Sequence, residues 1–332
     1  MELNTNKSSF KYLVLFLYLV LILSPCFSED NAPFVSKEPN KKISFEDINF
    51  TMGTGLSYIN GQYREIVYPS AGWESPYLSE LLWNLDNIIM LNLKTGVQWG
   101  SWAVNLSIST ALTTETGEMT DTDWLDSAST DRTHWSRSKI WLDNSFILNT
   151  GVVRSFNLSQ YITFQTGLGY RLNFWDWEDE VLDFIYPNPQ PPDFIGENGI
   201  DYKVIQNIFY ASTEISYSAG NISTGLKIDL SPFIYAWDLD HHVLTKKYYM
   251  DSFYANFWYR AELTLDIKTG KQEKLMISLF REELSETTGD IYEYDEDAAN
   301  PEEIGENTGA YTNGAGMASF LWGIELSYIW TF

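Results

Sequence analysis

Trp322-Gly-Ile-Glu-Leu-Ser-Tyr-Ile-Trp-Thr-Phe332 ends the chain in strict alternation. Trp322, Ile324, Leu326, Tyr328, Trp330 and Phe332 share one face of an extended strand, and Gly323, Glu325, Ser327 and Thr331 share the other. The rhythm recurs upstream. Ile162, Phe164, Leu168, Tyr170, Leu172 and Phe174 oppose Thr163, Gln165, Gly167, Gly169, Arg171 and Asn173, and Ile222, Leu226, Ile228 and Leu230 oppose Ser223, Gly225, Lys227 and Asp229. A secreted soluble β-sandwich would keep its inner face dry, and Arg171, Lys227 and Asp229 contradict that. The pattern fits a closed barrel with a lipid-facing exterior and a polar interior, the one sheet architecture that satisfies its backbone in a bilayer.

The aromatic Tyr-Ile-Trp-Thr-Phe ending also resembles the C-terminal signal of bacterial outer-membrane barrels. At the other end, Lys7 and Lys11 precede an apolar run over residues 12–23 and then Ser-Pro-Cys-Phe-Ser. That run is too short for a membrane helix, which needs ~20 residues, and reads as a secretory signal peptide over residues 1–28. Residues 29–43 form a flexible leader, and 44–332 one barrel domain. The single cysteine, Cys26, falls in the signal, so the mature chain is expected to hold no disulfide. With 45 acidic against 21 basic side chains the formal charge is −24, which argues against nucleic-acid binding and favours basic partners.

The predicted fold is an all-β, ten-stranded antiparallel transmembrane β-barrel with long extracellular loops. Its strands are expected at 46–68, 79–97, 101–117, 137–150, 158–176, 201–217, 221–238, 247–267, 272–286 and 316–332. Short turns at 218–221 and 268–271 are assigned to the periplasm, and the polar stretches 117–136, 177–200 and 286–315 to the outside. The acidic run 295–303 reads as a solvated loop tip, with calcium as the alternative. With Arg171, Lys227, Asp229 and Glu325 inside, the lumen should be filled rather than porous.

Two acidic clusters carry the candidate chemistry: Asp121-Thr-Asp123, and Asp238-Leu-Asp240-His241-His242. The chain has three histidines, and two lie in the second cluster. Close carboxylates raise the pKa of an imidazole and hinder each other's ionisation, which suits general acid–base work. Taken singly, each acidic pair is an ordinary loop feature. Asp and His also bind metals, but no His-Glu-x-x-His or other tight metal spacing occurs, so metal ranks below metal-free hydrolysis and no cofactor is expected. A pepsin-like Asp-Thr-Gly is absent because Asp123 occupies the third position. No Gly-x-Ser-x-Gly elbow occurs either.

Asp121-Thr-Asp123-Trp-Leu-Asp126-Ser127 resembles the Asp-x-Asp-Trp-Met-Asp-Ser segment of the omptins, ten-stranded outer-membrane endoproteases. Asp238-Leu-Asp240-His241-His242 resembles their Asp-x-Asp-x-His. Ile59-Asn-Gly-Gln-Tyr-Arg-Glu65-Ile-Val-Tyr68 is similar to their first-strand segment, and Asn313-Gly-Ala-Gly316 to the approach to the last strand. The resemblance runs from about residue 44 to the C-terminus. It implies that Asp240 and His242 activate a water, that Asp121 and Asp123 hold that water and the carbonyl from across the mouth, and that Glu65 and Asp238 line a pocket for Arg or Lys. Basic peptides or proteins would be the substrates, cut by a monomer in the outer membrane with its active site facing outside. A non-catalytic barrel serving adhesion or structure is the competing reading.

The sequence departs from the family where a histidine often follows two residues after a serine: Ser136 is followed by Arg137 and Ser138. The family's lipopolysaccharide-contact pattern of Tyr, acid and Arg at alternate positions is not kept: it reads Tyr170, Leu172, Phe174, and Ile205 stands in place of a second contacting arginine. His241 is assigned a bystander role and His134 a surface position. One difficulty is parity. In the strand from Ile222 to Leu230 even residues face lipid, and an unbroken register would send Asp238, Asp240 and His242 outward. A bulge or strong twist is therefore predicted between 231 and 237, near Pro232.

Overall fold

A computed structural model describes residues 48–187, 194–254, 257–298, 300 and 303–332. The signal and leader assignments lie outside these residues, as does part of the 295–303 tip. The described chain forms strands β1 (Ile48–Val67), β2 (Ser79–Trp99), β3 (Trp102–Ala111), β4 (Glu115–Asp123), β5 (His134–Asn157), β6 (Ile162–Ile185) and β7 (Ile200–Ala219). It continues with β8 (Ile222–Ser231), β9 (Ile234–His242), β10 (Lys247–Tyr254), β11 (Trp258–Lys268), β12 (Glu273–Glu296) and β13 (Ile304–Thr331). All pairings are antiparallel, and β1 pairs with both β2 and β13, so the sheet closes on itself. Three staves of the ring are each made of two consecutive segments: β3 with β4, β8 with β9, and β10 with β11. The ring therefore has the expected ten strands.

Short connections gather at one end, at 100–101, 158–161, 220–221 and 269–272; Gly100 and Gly220 there take φ of 57° and 60°, which glycine adopts without strain. The opposite end, the mouth, was expected to carry three long loops. Instead the strands run on, and the connections shrink to 124–133, 186–199 and 297–303. β12 and β13 stay paired as far as Glu296 and Ile304, through most of the stretch expected as an acidic loop. The cause is the wall itself. Above the lipid its outer face need not be apolar, so the alternation that marks a strand in sequence fades while the hydrogen-bond ladder persists.

Met52, Leu56, Leu93, Leu168, Phe209, Leu226, Leu263, Leu279 and Leu326 are exposed and form an apolar belt around the outside. Tyr235 and Tyr254, with ring centroids 5.2 Å apart, stand at its rim on the mouth side. Beyond it the outward positions become polar, with Gln62 and Arg64 on β1 and Asp201 and Lys203 on β7. β4 and the tops of β1 and β9 thus stand clear of the lipid-facing zone.

The lumen has two layers. Level with the belt, Arg171 and Arg260 converge on Glu282 at 2.9 and 3.2 Å, Arg260 reaches Glu262 at 3.1 Å, and Lys94 reaches Glu325 at 2.6 Å. A cavity of about 510 Å³ opens among these charges and towards the short turns. Above the ions the interior differs from the all-polar expectation. Trp83, Trp175, Trp177, Tyr63 and Tyr202 are fully buried, and Trp175 and Trp177 stack at 5.8 Å and 3°. This plug closes the lumen beneath the mouth and forms a floor there.

The parity problem resolves where Pro232 interrupts the stave. On the β7 side, Ala211 faces Leu230 and Ile208 faces Ile234, so four steps along β8–β9 match three along β7. This is a one-residue bulge. Proline contributes no N–H, and Ser231 Oγ bridges the gap by donating to the Phe209 carbonyl at 2.7 Å and accepting from Phe233 N at 3.2 Å. Odd residues face inward below the bulge (Gly225, Asp229, Ser231) and even residues above it (Ile234, Ala236, Asp238, Asp240). β2 changes parity similarly at Asn87, whose φ of 60° asparagine tolerates.

Candidate active site at the barrel mouth

Glu65 stands near the top of β1, Asp121 and Asp123 end β4, and Asp238, Asp240 and His242 end β9. Their strands belong to different sides of the ring, and the inward parity of each turns the side chains to one space. His242 Nε2 lies 2.7 Å from Asp240 Oδ2. The imidazole packs edge-on against Tyr249 at 5.1 Å and remains about a quarter exposed (27 %), open to the mouth. Asp240 is buried, and its second oxygen has no hydrogen-bond partner. The carboxylate therefore fixes the ring while the ring keeps access to water.

Asp121 and Asp123 form the facing wall. Ser79 Oγ, on the neighbouring strand, donates to Asp121 Oδ1 at 3.4 Å. Burial first, and then the adjacent Asp123, push the Asp121 carboxyl up to about 8. Burial likewise raises Asp123. For His242 burial opposes the charged form, yet Asp240, and after it Asp121 and Asp123, outweigh this and lift the imidazole to about 9. The mutual effects of these groups mark them as one electrostatic unit across the mouth.

Deeper, Glu65 and Asp238 are almost wholly buried, and Asp238 Oδ2 accepts from Tyr202 OH at 2.8 Å. Burial, then Asp240 and Asp238, raise Glu65 well above the usual carboxylate range. Glu65 Oε2 and Asp238 Oδ1 have no partner. Two buried carboxylates, each with an open acceptor, therefore lie beside the aromatic floor.

His241 points away from this space. It lies between Asp201 at 3.3 Å and Glu296 at 3.0 Å and stacks on Tyr248 at 3.9 Å, a bracing contact for three strands. His134, expected at the surface, is half-buried: it is the cross-strand partner of Asp123 and meets the Tyr186 ring edge-on at 4.9 Å. Ser79, Tyr202 and Asp251 carry no signal in the sequence and join the site only through pairing across strands. Among the described residues no group of His, Cys, Asp and Glu has the arrangement of a metal site.

Residues 46–328 match the model of the Omptin family. No curated protein matches by sequence. Among solved structures, the outer membrane protease OmpT from Escherichia coli is similar at 19 % identity, covering 88 % of this chain and 99 % of that one, with a TM-score of 0.75. The translocator domain of the autotransporter NalP from Neisseria meningitidis reaches a TM-score of 0.30 at 8 % identity, covering 96 % of each chain.

Proposed function

Since the chain belongs to the omptin family of outer-membrane proteases, we propose that it is an endopeptidase cutting beside Arg or Lys with a water activated by Asp240 and His242. The observation that carries this reading is the 2.7 Å His242–Asp240 contact at a solvent-open mouth, facing the Asp121–Asp123 wall. A neutral His242 takes a proton from the water, and the water oxygen bonds to the carbonyl carbon. Asp240 stabilises the resulting imidazolium. Asp121, which retains its proton up to about 8, donates a hydrogen bond to the carbonyl oxygen as negative charge develops there. His242 then returns the proton to the leaving nitrogen and the C–N bond breaks. Glu65 and Asp238 hold the cationic side chain before the cut. The mouth opens away from the cell, where basic peptides and proteins are reached.

The test is digestion of a fluorogenic dibasic peptide by the refolded protein in the presence and absence of a chelator. Cleavage at the basic pair, unchanged by chelator, is the expected result. Loss of activity with chelator would replace the metal-free reading by a metal one.

The pH profile offers a second check. Activity needs both a neutral His242 and a protonated Asp121, so kcat/KM should rise up to about 8, stay level between about 8 and about 9, and fall above that range. Asp240 supplies the largest raising effect, so Asp240→Asn should lower the rate and also move the ascending limb to lower pH. A limb that stays in place, or moves alkaline, would contradict the pairing.

A further inference from the structure

Asp251 lies on β10 directly opposite Asp238 on β9. It is 1 % exposed, and its Oδ1 has no hydrogen-bond partner. Glu65 Oε2 and Asp238 Oδ1 are likewise buried and unpartnered, and the three carboxyl groups act on one another electrostatically, so three strands bring three open acceptors together. The nearest cation in sequence, Arg64, points to the outside and is held there by Glu80 and by Glu286 at 2.6 Å. Among the described residues no Lys or Arg forms an ion pair with Glu65, Asp238 or Asp251. Unpaired buried carboxylates cost stability, and a fold that keeps three together leaves that cost to be offset by a guest.

We propose that Asp251 is the third carboxylate of the cation pocket and the residue that biases it to arginine over lysine before the cut. This rests on the proposed cleavage at basic residues. Three acceptors from separate strands surround a guest rather than meet it at one point. A guanidinium spreads five N–H donors in a plane and is more weakly hydrated, so it reaches such acceptors with less loss of solvation. An ammonium is a compact, strongly hydrated charge that two carboxylates already satisfy. Burial first, then Asp238 and Asp240, hold the Asp251 carboxyl well above its ordinary range.

The experiment compares three peptides that differ only in Arg, Lys or citrulline before the scissile bond, cut by refolded wild type, Asp251→Asn and Asp251→Ser. The wild type should favour Arg over Lys by about tenfold in kcat/KM. Asp251→Asn should lower kcat/KM for the Arg peptide by about tenfold through KM, with kcat little changed, and for the Lys peptide by only about threefold. If the wild type cuts both basic peptides but the Arg/Lys ratio is the same in the folded variants, Asp251 has no such role and the cleavage reading survives. If the wild type cuts none of the three, or cuts citrulline as well as Arg, the cleavage reading fails and this assignment with it. A variant-free check is inhibition of the wild type by n-butylguanidine and n-butylamine. About tenfold stronger inhibition by the guanidine is expected, and equal inhibition would overturn the proposal.

Discussion

His242→Ala, refolded and assayed on a dibasic peptide, is expected to lose about 10³-fold in kcat with KM nearly unchanged. The side chain stands open to the mouth, so its removal leaves space that water can fill rather than a dry cavity. What disappears is the only imidazole on the inner wall of β9, and with it the proposed proton acceptor. Glu65 and Asp238, the proposed holders of the basic side chain, are untouched, so its binding is expected to persist. Asp240→Ala should approach the same rate, because the two act as one unit, and the double variant should be little worse than either single one. An unaltered rate in His242→Ala would remove the histidine from catalysis.

Glu282→Ala is expected to produce the largest loss of stability, about 3–5 kcal/mol. Glu282 is 3 % exposed and receives four side chains: Arg171, Arg260, Asn173 and Trp258, at 2.9–3.2 Å. Removing it leaves the Arg171 guanidinium buried without a carboxylate, while Arg260 keeps Glu262 at 3.1 Å. The urea midpoint of the refolded barrel in lipid should fall clearly, and less in Glu282→Gln, which still accepts hydrogen bonds. An unchanged midpoint would mean that water in the neighbouring cavity solvates Arg171 in place of Glu282.

The barrel was legible because lipid imposes a period of two on its outer face. Trp322 to Phe332 carries that signal fully, and the ring of ten staves follows from counting such segments. Above the lipid the constraint lapses. Ile304 to Asn313 therefore reads as loop but continues β13. The same lapse hid the aromatic floor, because Trp83, Trp175 and Trp177 turn inward where a polar lumen was expected. Parity carried real information in β9. The conflict at Asp240 and His242 called for a bulge near Pro232, and one extra residue is inserted there. Asp251 left no signal, since Tyr-Tyr-Met-Asp-Ser is an ordinary strand sequence until the hairpin sets it against Asp238. His134 likewise becomes informative only as the partner of Asp123.

The most direct measurement of the central claim is mass spectrometry of the products formed by the refolded protein from an Arg-Arg peptide and its citrulline-citrulline analogue. A single cut between the two arginines and an intact analogue are the expected result. An uncut Arg-Arg peptide, or cuts placed without regard to charge, would contradict it.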